Sequence, residues 1–256
     1  MMDNFTFRGK RIEEFGASAA FGKSMRIGAK IRRQEYALPR GGSVEIGEPV
    51  YESTQRAVTI TPMDGITADE TWRRKILAWL QGGRGEMIVH NDPRVMRMAQ
   101  FDSDGTWGDA GWPFGELSLT MTLQPLAYAA QEAQQSAATA GGSCRLLLMC
   151  ESALEIPVHA IIRPKSGVIQ SAAITAGGKT LVLNGMSAAP GTVIEYDCGE
   201  YLGDVPSLKV GGALDFSPVA SGRWAELYAF PDEPVSVTVT GGEADVVLIG
   251  RGRWPA

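Results

Sequence analysis

The most regular pattern in the chain is the alternation of apolar and polar residues over 116–123 (ELSLTMTL). A period of two places successive side chains on opposite faces of a sheet, so this stretch predicts a strand with one wet face. Residues 55–60 (QRAVTI) alternate in the same way. The segment 54–61 is expected to pair with 44–50 as the two arms of a long hairpin. Residues 87–90 and 95–101 predict a second hairpin about the turn Asn91-Asp92-Pro93. Shorter strands are expected at 5–7, 12–15 and 17–21, and within 25–36, where Ile27, Ala29 and Ile31 alternate.

One segment changes period. Trp72, Ile76, Trp79 and Leu80 fall at i, i+4, i+7 and i+8, which is one face of a helix. Thr67 with Glu70 three residues later reads as a capping box, and Gly82-Gly83 reads as the stop. A lone helix with two tryptophans among strands must bury its aromatic face against a sheet.

Beyond Ala127 the pattern shifts again. Residues 129–143 lack large aliphatic side chains and read as a linker, with room for a helical turn or two. Strands are then expected at 145–149, 157–163, 168–175, 179–183, 192–197, 223–230, 235–240 and 244–251. Gly177-Gly178, Asn184-Gly185 and Gly241-Gly242 sit between them as tight turns. The predicted fold is mainly β: an α+β N-terminal domain over 1–128, a linker over 129–143, and a β-sandwich or jelly roll over 144–256.

Composition narrows the class. The chain has 256 residues, 44% hydrophobic and 21% charged, with 31 glycines, as suits many short strands joined by turns. A net charge of −5 argues against a chain built to coat DNA or an anionic membrane. No apolar run is long enough for a membrane helix, and the N-terminal MMDNFTFRGKR lacks the apolar stretch of a secretory signal. Cys144, Cys150 and Cys198 are odd in number and without CxxC spacing, so reduced thiols are expected, in a protein made in a cytoplasm.

Candidate chemistry is sparse. His90 and His159 stand on strands of different domains, without a partner at metal-ligand spacing, and are read as structural. The segment 16–24 (GASAAFGKS) has five residues between its glycines where a phosphate loop needs four. In 173–180 Ala173 replaces the first glycine, and a strand follows Gly178-Lys179-Thr180 instead of a helix. Asp102, Asp104 and Asp109 have no closing glutamate at EF-hand spacing, so the glycine-rich stretch 102–115 is read as a solvated loop. Arg32-Arg33 and Arg73-Arg74-Lys75 predict a solvated basic face or salt bridges to a neighbouring subunit. Trp107 and Trp112 are expected either to fold back on the helix or to lie in an interface. No catalytic, cofactor-binding or metal residue is assigned, and no enzymatic activity is expected.

The order of these elements resembles the distal tail proteins (Dit) of long-tailed, non-contractile bacteriophages. Phe5-Thr6-Phe7-Arg8-Gly9-Lys10 is similar to that family's opening F-x-F-N-G turn, with Arg8 where asparagine is usual, and Phe15-Gly16 follows at the usual distance. The helix with Trp79-Leu80, the glycine turn and the strand into Asp92-Pro93 resemble its WL…D-P segment, and 97–101 with 116–123 resemble its closing hairpin. Residues 192–197 (TVIEYD), 226–234 (ELYAFPDEP) and 244–253 resemble its later strands, although FPDEP stands where P-G-x-N is usual.

The resemblance implies a virion protein without cofactors. Its N-terminal domain would form a homohexameric ring, and a C-terminal galectin-like β-sandwich would project outward. The ring would join the tail tube to the baseplate hub or tail-tip protein and carry receptor-binding proteins, with DNA passing through its lumen and no membrane insertion. The mild net acidity suits a lumen that must not hold the polyanion. A carbohydrate-binding module in host adhesion is the alternative, with Tyr196, Tyr201, Trp224 and Tyr228 as stacking candidates. A hydrolase is the third reading, and no recognisable acid–base pair supports it.

Overall fold

The computed structural model describes residues 4–22, 30–33, 35–37, 43–45, 50–102, 105–109, 115–199, 205–222 and 227–255. The chain forms two compact units, one of residues 1–130 with 254–256 and one of 131–253.

The first unit opens with β1 (Phe5–Phe7), β2 (Lys10–Arg11), a 3-10 turn (Ile12–Phe15) and β3 (Ala17–Phe21). Next come β4 (Lys30–Arg32), β5 (Glu35–Ala37), β6 (Ser43–Glu45), β7 (Val50–Glu52) and β8 (Thr54–Pro62). Helix α1 (Glu70–Leu80) follows, then β9 (Gly85–Val89), β10 (Val95–Phe101), β11 (Thr106–Asp109) and β12 (Gly115–Ala129). The main sheet runs β2-β1-β9-β10-β12-β8-β3, with β11 also on β12.

Several expectations change here. The 12–15 strand is a 3-10 turn, closed by Gly16 in the left-handed region at φ 63°. The expected 44–50/54–61 hairpin does not form: β7 pairs with β4, β6 with β5, and β8 lies between β12 and β3. β8 carries Val58 and Ile60 on its buried face, and two strands of the main sheet cover both its edges. Residues 106–109 of the expected loop form β11, which pairs with 115–118. The alternation of 25–29 lies outside the described residues.

Helix α1 forms for the predicted reason, with Trp72, Ile76, Trp79 and Leu80 buried. Its cap is different. Asp69, not Thr67, is the N-cap, and its carboxylate accepts the Trp72 backbone N–H at 2.7 Å. The Trp79 ring stacks on Phe15 at 4.4 Å between centroids and donates its indole N–H to the Phe7 carbonyl. Phe5, Phe7 and Phe101 complete this aromatic core between helix and sheet.

The second unit begins where a linker was expected. Residues 133–138 form β13 (Ala133–Ala138), paired along its length with 245–250. Small alanines suffice there, because Ala133 and Ala137 pack on the core while Gln134 and Ser136 face solvent. Thr139 fixes the exit of this strand: its hydroxyl donates to Glu243 and accepts the Ala244 N–H.

The remaining strands are β14 (Ser143–Leu146), β15 (Ile156–Pro157), β16 (His159–Ala176), β17 (Lys179–Leu183) and β18 (Ile194–Asp197). They continue with β19 (Ser207–Val210), β20 (Ala213–Leu214), β21 (Val219–Ser221), β22 (Tyr228–Ala229) and β23 (Val235–Gly250). Trp254 and Pro255, in β24 (Arg253–Pro255), return to the first unit. The main path of the second sheet is β13-β23-β16-β18-β19-β20.

Two pairs of predicted strands are each one long strand. Segments 157–163 and 168–175 merge in β16, and 235–240 and 244–251 merge in β23. The Gly241-Gly242 turn therefore lies within the continuous β23, opposite irregularities at 164–166 and 167–171 where β16 carries the extra residues of a bulge. Strands β19, β20 and β21, unmarked by alternation, complete a mainly β fold.

Candidate functional site

His90 is the centre of a polar cluster in the first unit. It follows β9, and its Nδ1 lies 3.2 Å from Glu13 Oε1 while its Nε2 lies 3.1 Å from the Thr6 hydroxyl. Asn4 donates to the same Glu13 oxygen at 3.0 Å and accepts the Ala19 N–H through its own carbonyl oxygen. Burial pushes the Glu13 carboxyl up. Its backbone hydrogen bond, the Asn4 amide, His90 and Arg11 outweigh that and hold it below its usual range. The cluster ties the ends of β1, β3, β9 and the 3-10 turn together.

Among the described residues the two phosphate-loop look-alikes carry no helix N-terminus, and Lys23 and Ser24 of the first lie outside them. Gly16 leads into β3, and Gly177-Gly178 is the turn between β16 and β17. Asp102 donates its N–H to the Thr120 carbonyl in the turn after β10, and Asp104 lies outside the described residues. Among the described residues no three His, Cys, Asp or Glu side chains converge on a metal position.

Trp107 folds back on the helix. Its ring meets Trp72 edge-on at 6.1 Å, and the Arg73 guanidinium sits 4.1 Å above it. That contact removes Arg73 from a freely solvated basic face, while Arg74 pairs with Glu70 one turn away at 2.5 Å. Trp112 lies outside the described residues.

Arg8 has no equivalent in the patterning. It adopts φ 50°, a left-handed conformation that asparagine or glycine reaches more easily. Its Nη1 donates to the Gly82 carbonyl at 2.6 Å, which satisfies an acceptor just beyond the end of α1.

In the second unit a cavity of about 40 Å³ is lined by Glu132, Pro157, His159, Asp197, Ile249 and Arg251. Its charges are largely matched. Arg251 pairs with Glu132 at 2.9 Å, and Asp197 accepts the Gly199 N–H. Beside it, Lys209 and His159 flank Glu195 at 3.4 and 3.3 Å. His159 Nε2 is buried and poorly aligned for a hydrogen bond to that carboxylate. The space is far below the roughly 300 Å³ of a small-molecule pocket.

The sugar-stacking candidates divide. Tyr196 is in the core at 1% exposure, where burial raises its hydroxyl pKa well above the usual value. Tyr228 is half-buried against that core, with the Arg253 guanidinium 5.3 Å from its ring. Tyr201 and Trp224 lie outside the described residues.

Among the described residues, the first unit's main sheet ends at β2 and β3, and β4–β7 and β5–β6 form separate two-stranded ladders. Ile31 and Val50, on β4 and β7, are 45% and 44% exposed. A two-stranded ribbon with exposed apolar residues is marginal by itself and is stabilised when another surface covers it. Charge is divided unevenly. The first unit has 16 basic and 16 acidic residues, and the second has 8 and 13, so the net acidity belongs to the second.

No family model and no curated protein matches the chain. Solved structures do. The Dit protein of phage SPP1, described as a paradigm of the hub adsorption apparatus in phages infecting Gram-positive bacteria, superimposes with a TM-score of 0.67 at 15% identity. The match covers 99% of both chains. A chain of the phage p2 baseplate in its activated conformation with strontium matches at TM-score 0.50 and 11% identity, over 93% of this chain and 91% of that one. The chain thus has the fold of a phage distal tail protein along its length.

Proposed function

We propose that the protein is a structural component of a phage tail, a distal tail protein forming a hexameric ring between the tail tube and the hub or tail tip. The observation that carries this reading is the full-length likeness to the SPP1 Dit protein, both units in order, at TM-score 0.67. The first unit forms the ring. Its open sheet edges and its two-stranded ladders, with exposed Ile31 and Val50, are the surfaces a neighbouring copy covers.

The second unit projects outward as the platform for host-attachment proteins, in a virion assembled in the host bacterium. Its partners are further copies of itself, the tube protein, the hub and receptor-binding proteins, while DNA only passes through the lumen. The role is architectural, without cofactor or metal. The net acidity gives no support to a non-stick lumen in this arrangement, because the ring-forming unit is charge-balanced.

Native mass spectrometry across a concentration series tests the reading. A hexamer, or a trimer–hexamer equilibrium, is expected. A strict monomer at every concentration, also in the presence of the tube protein, would overturn it.

A further inference from the structure

Arg56 and Arg97 reach over the same face of the first unit's sheet. Arg56 stands opposite Met121 on β12, and Met121 stands opposite Phe101 on β10. Arg97 lies four residues before Phe101, between Met87 on β9 and Ala127 on β12. Strand alternation groups Arg56 with Val58 and Ile60, and Arg97 with Ala99 and Phe101, and those four apolar residues are buried on the core face. Leu123 and Ala99, cross-strand partners, lie between the two arginines and are also buried.

The apolar face therefore ends in two guanidinium groups, both half-buried. Among the described residues neither makes a hydrogen bond or an ion pair. Burial depresses the basicity of both, the Arg56 charge depresses Arg97 further, and Asp92 partly offsets this. Two half-buried like charges, with Asp92 acting on only one of them and from beyond ion-pair distance, are unfavourable, and an oxyanion between them reverses the sign of that interaction.

We propose that Arg56 and Arg97 together grip a carboxylate presented by a neighbouring copy of this chain, an inference that rests on the ring reading. Planar guanidinium forks match a carboxylate with paired N–H donors. A track for a nucleic-acid strand needs a row of cations and stacking aromatics, and here the buried Leu123 and Ala99 border the pair. A second copy supplies the ligand. Asp64, Glu86 and Glu116 of the same unit are exposed, and their side chains make no hydrogen bond or ion pair with a described residue. With 16 charges of each sign, two such units approach without net repulsion.

The test compares wild type with Arg56→Met and Arg97→Met by native mass spectrometry and sedimentation over a concentration and salt series. Each variant is expected to weaken assembly at least about tenfold and to flatten its salt dependence. The melting temperature of the dissociated chain should hold or rise, because a repulsion is removed. Variants that assemble like wild type overturn the clamp and leave the ring standing. Variants that lower the melting temperature of the dissociated chain in step with assembly overturn it as well, since the arginines then serve the fold. A wild type that never associates overturns both.

Discussion

Gly167 and Gly242 are cross-strand partners at the bulge shared by the two longest strands of the second unit. A methyl group on Gly167 would lie 2.3 Å from the Gly241 carbonyl oxygen, and one on Gly242 would lie 2.0 Å from that of Ser166. Gly167 and Gly241 also have φ of 69° and 89°. Backbone approaches backbone here, so no flexible side chain can yield. Gly167→Ala should cost about 2–4 kcal/mol, combining left-handed strain with the clash. Gly178→Ala, at φ 72° with nothing within 4 Å, should cost only about 1–2 kcal/mol. Urea midpoints at unchanged slope measure both, and equal losses would show that the close approach is relieved by relaxation.

The helix cap separates two readings of one segment. Thr67 with Glu70 matches the capping-box pattern, yet Asp69 holds the Trp72 N–H. Asp69→Ala should therefore lose about 1 kcal/mol and Thr67→Ala close to none, by thermal denaturation. The reverse ranking would return the cap to Thr67.

Those two cases mark how far the sequence was legible. The helix face, β8 and β12 follow from strong periodicity, because burial on one face is written directly into alternation or 3.6-residue spacing. Pairing was legible across short turns, as in β9 with β10 and β16 with β17, and not over longer separations. Alternation in 54–61 identifies a strand but says nothing of its neighbours, and β8 found β12 and β3 rather than 44–50. Gly241-Gly242 carries turn chemistry, but glycine also serves where a strand passes close to the bulged backbone of its neighbour, here 166–168 of β16. Residues 133–138 read as a linker because an edge strand packed by alanines has no large apolar residue to announce it. The Arg56–Arg97 pair was invisible because it joins residues 41 positions apart through a strand between them.

Trp79 joins three parts of the first unit at once. It stacks on Phe15, lies 5.9 Å from Phe5 and hydrogen-bonds the Phe7 carbonyl at 3.1 Å. Trp79→Ala should cost about 3–5 kcal/mol through the cavity it leaves. Trp79→Phe keeps much of the ring contact and should lose about 1–2 kcal/mol, since the indole donor goes. Calorimetry of the two variants checks this, and similar losses in both would place the main contribution in the hydrogen bond.

The Glu13 cluster predicts a dependence on pH with a definite sign. The native environment holds the Glu13 carboxyl below its ordinary 4.5, so the folded state favours the ionised form more than the unfolded chain does. A depressed carboxyl contributes stability that is fully present above the unfolded pKa and is lost as pH falls through the folded one. The loss should therefore begin near 4.5 and continue into the more acid range. Glu13→Gln removes the titrating group, and Gln retains an oxygen for the Asn4 amide. That variant should be less stable than wild type at about pH 7, and the gap should close towards about pH 3. Denaturant midpoints taken across that range read the difference directly. A gap that stays constant with pH would mean that Asn4 and His90 hold Glu13 by geometry alone, whatever its charge.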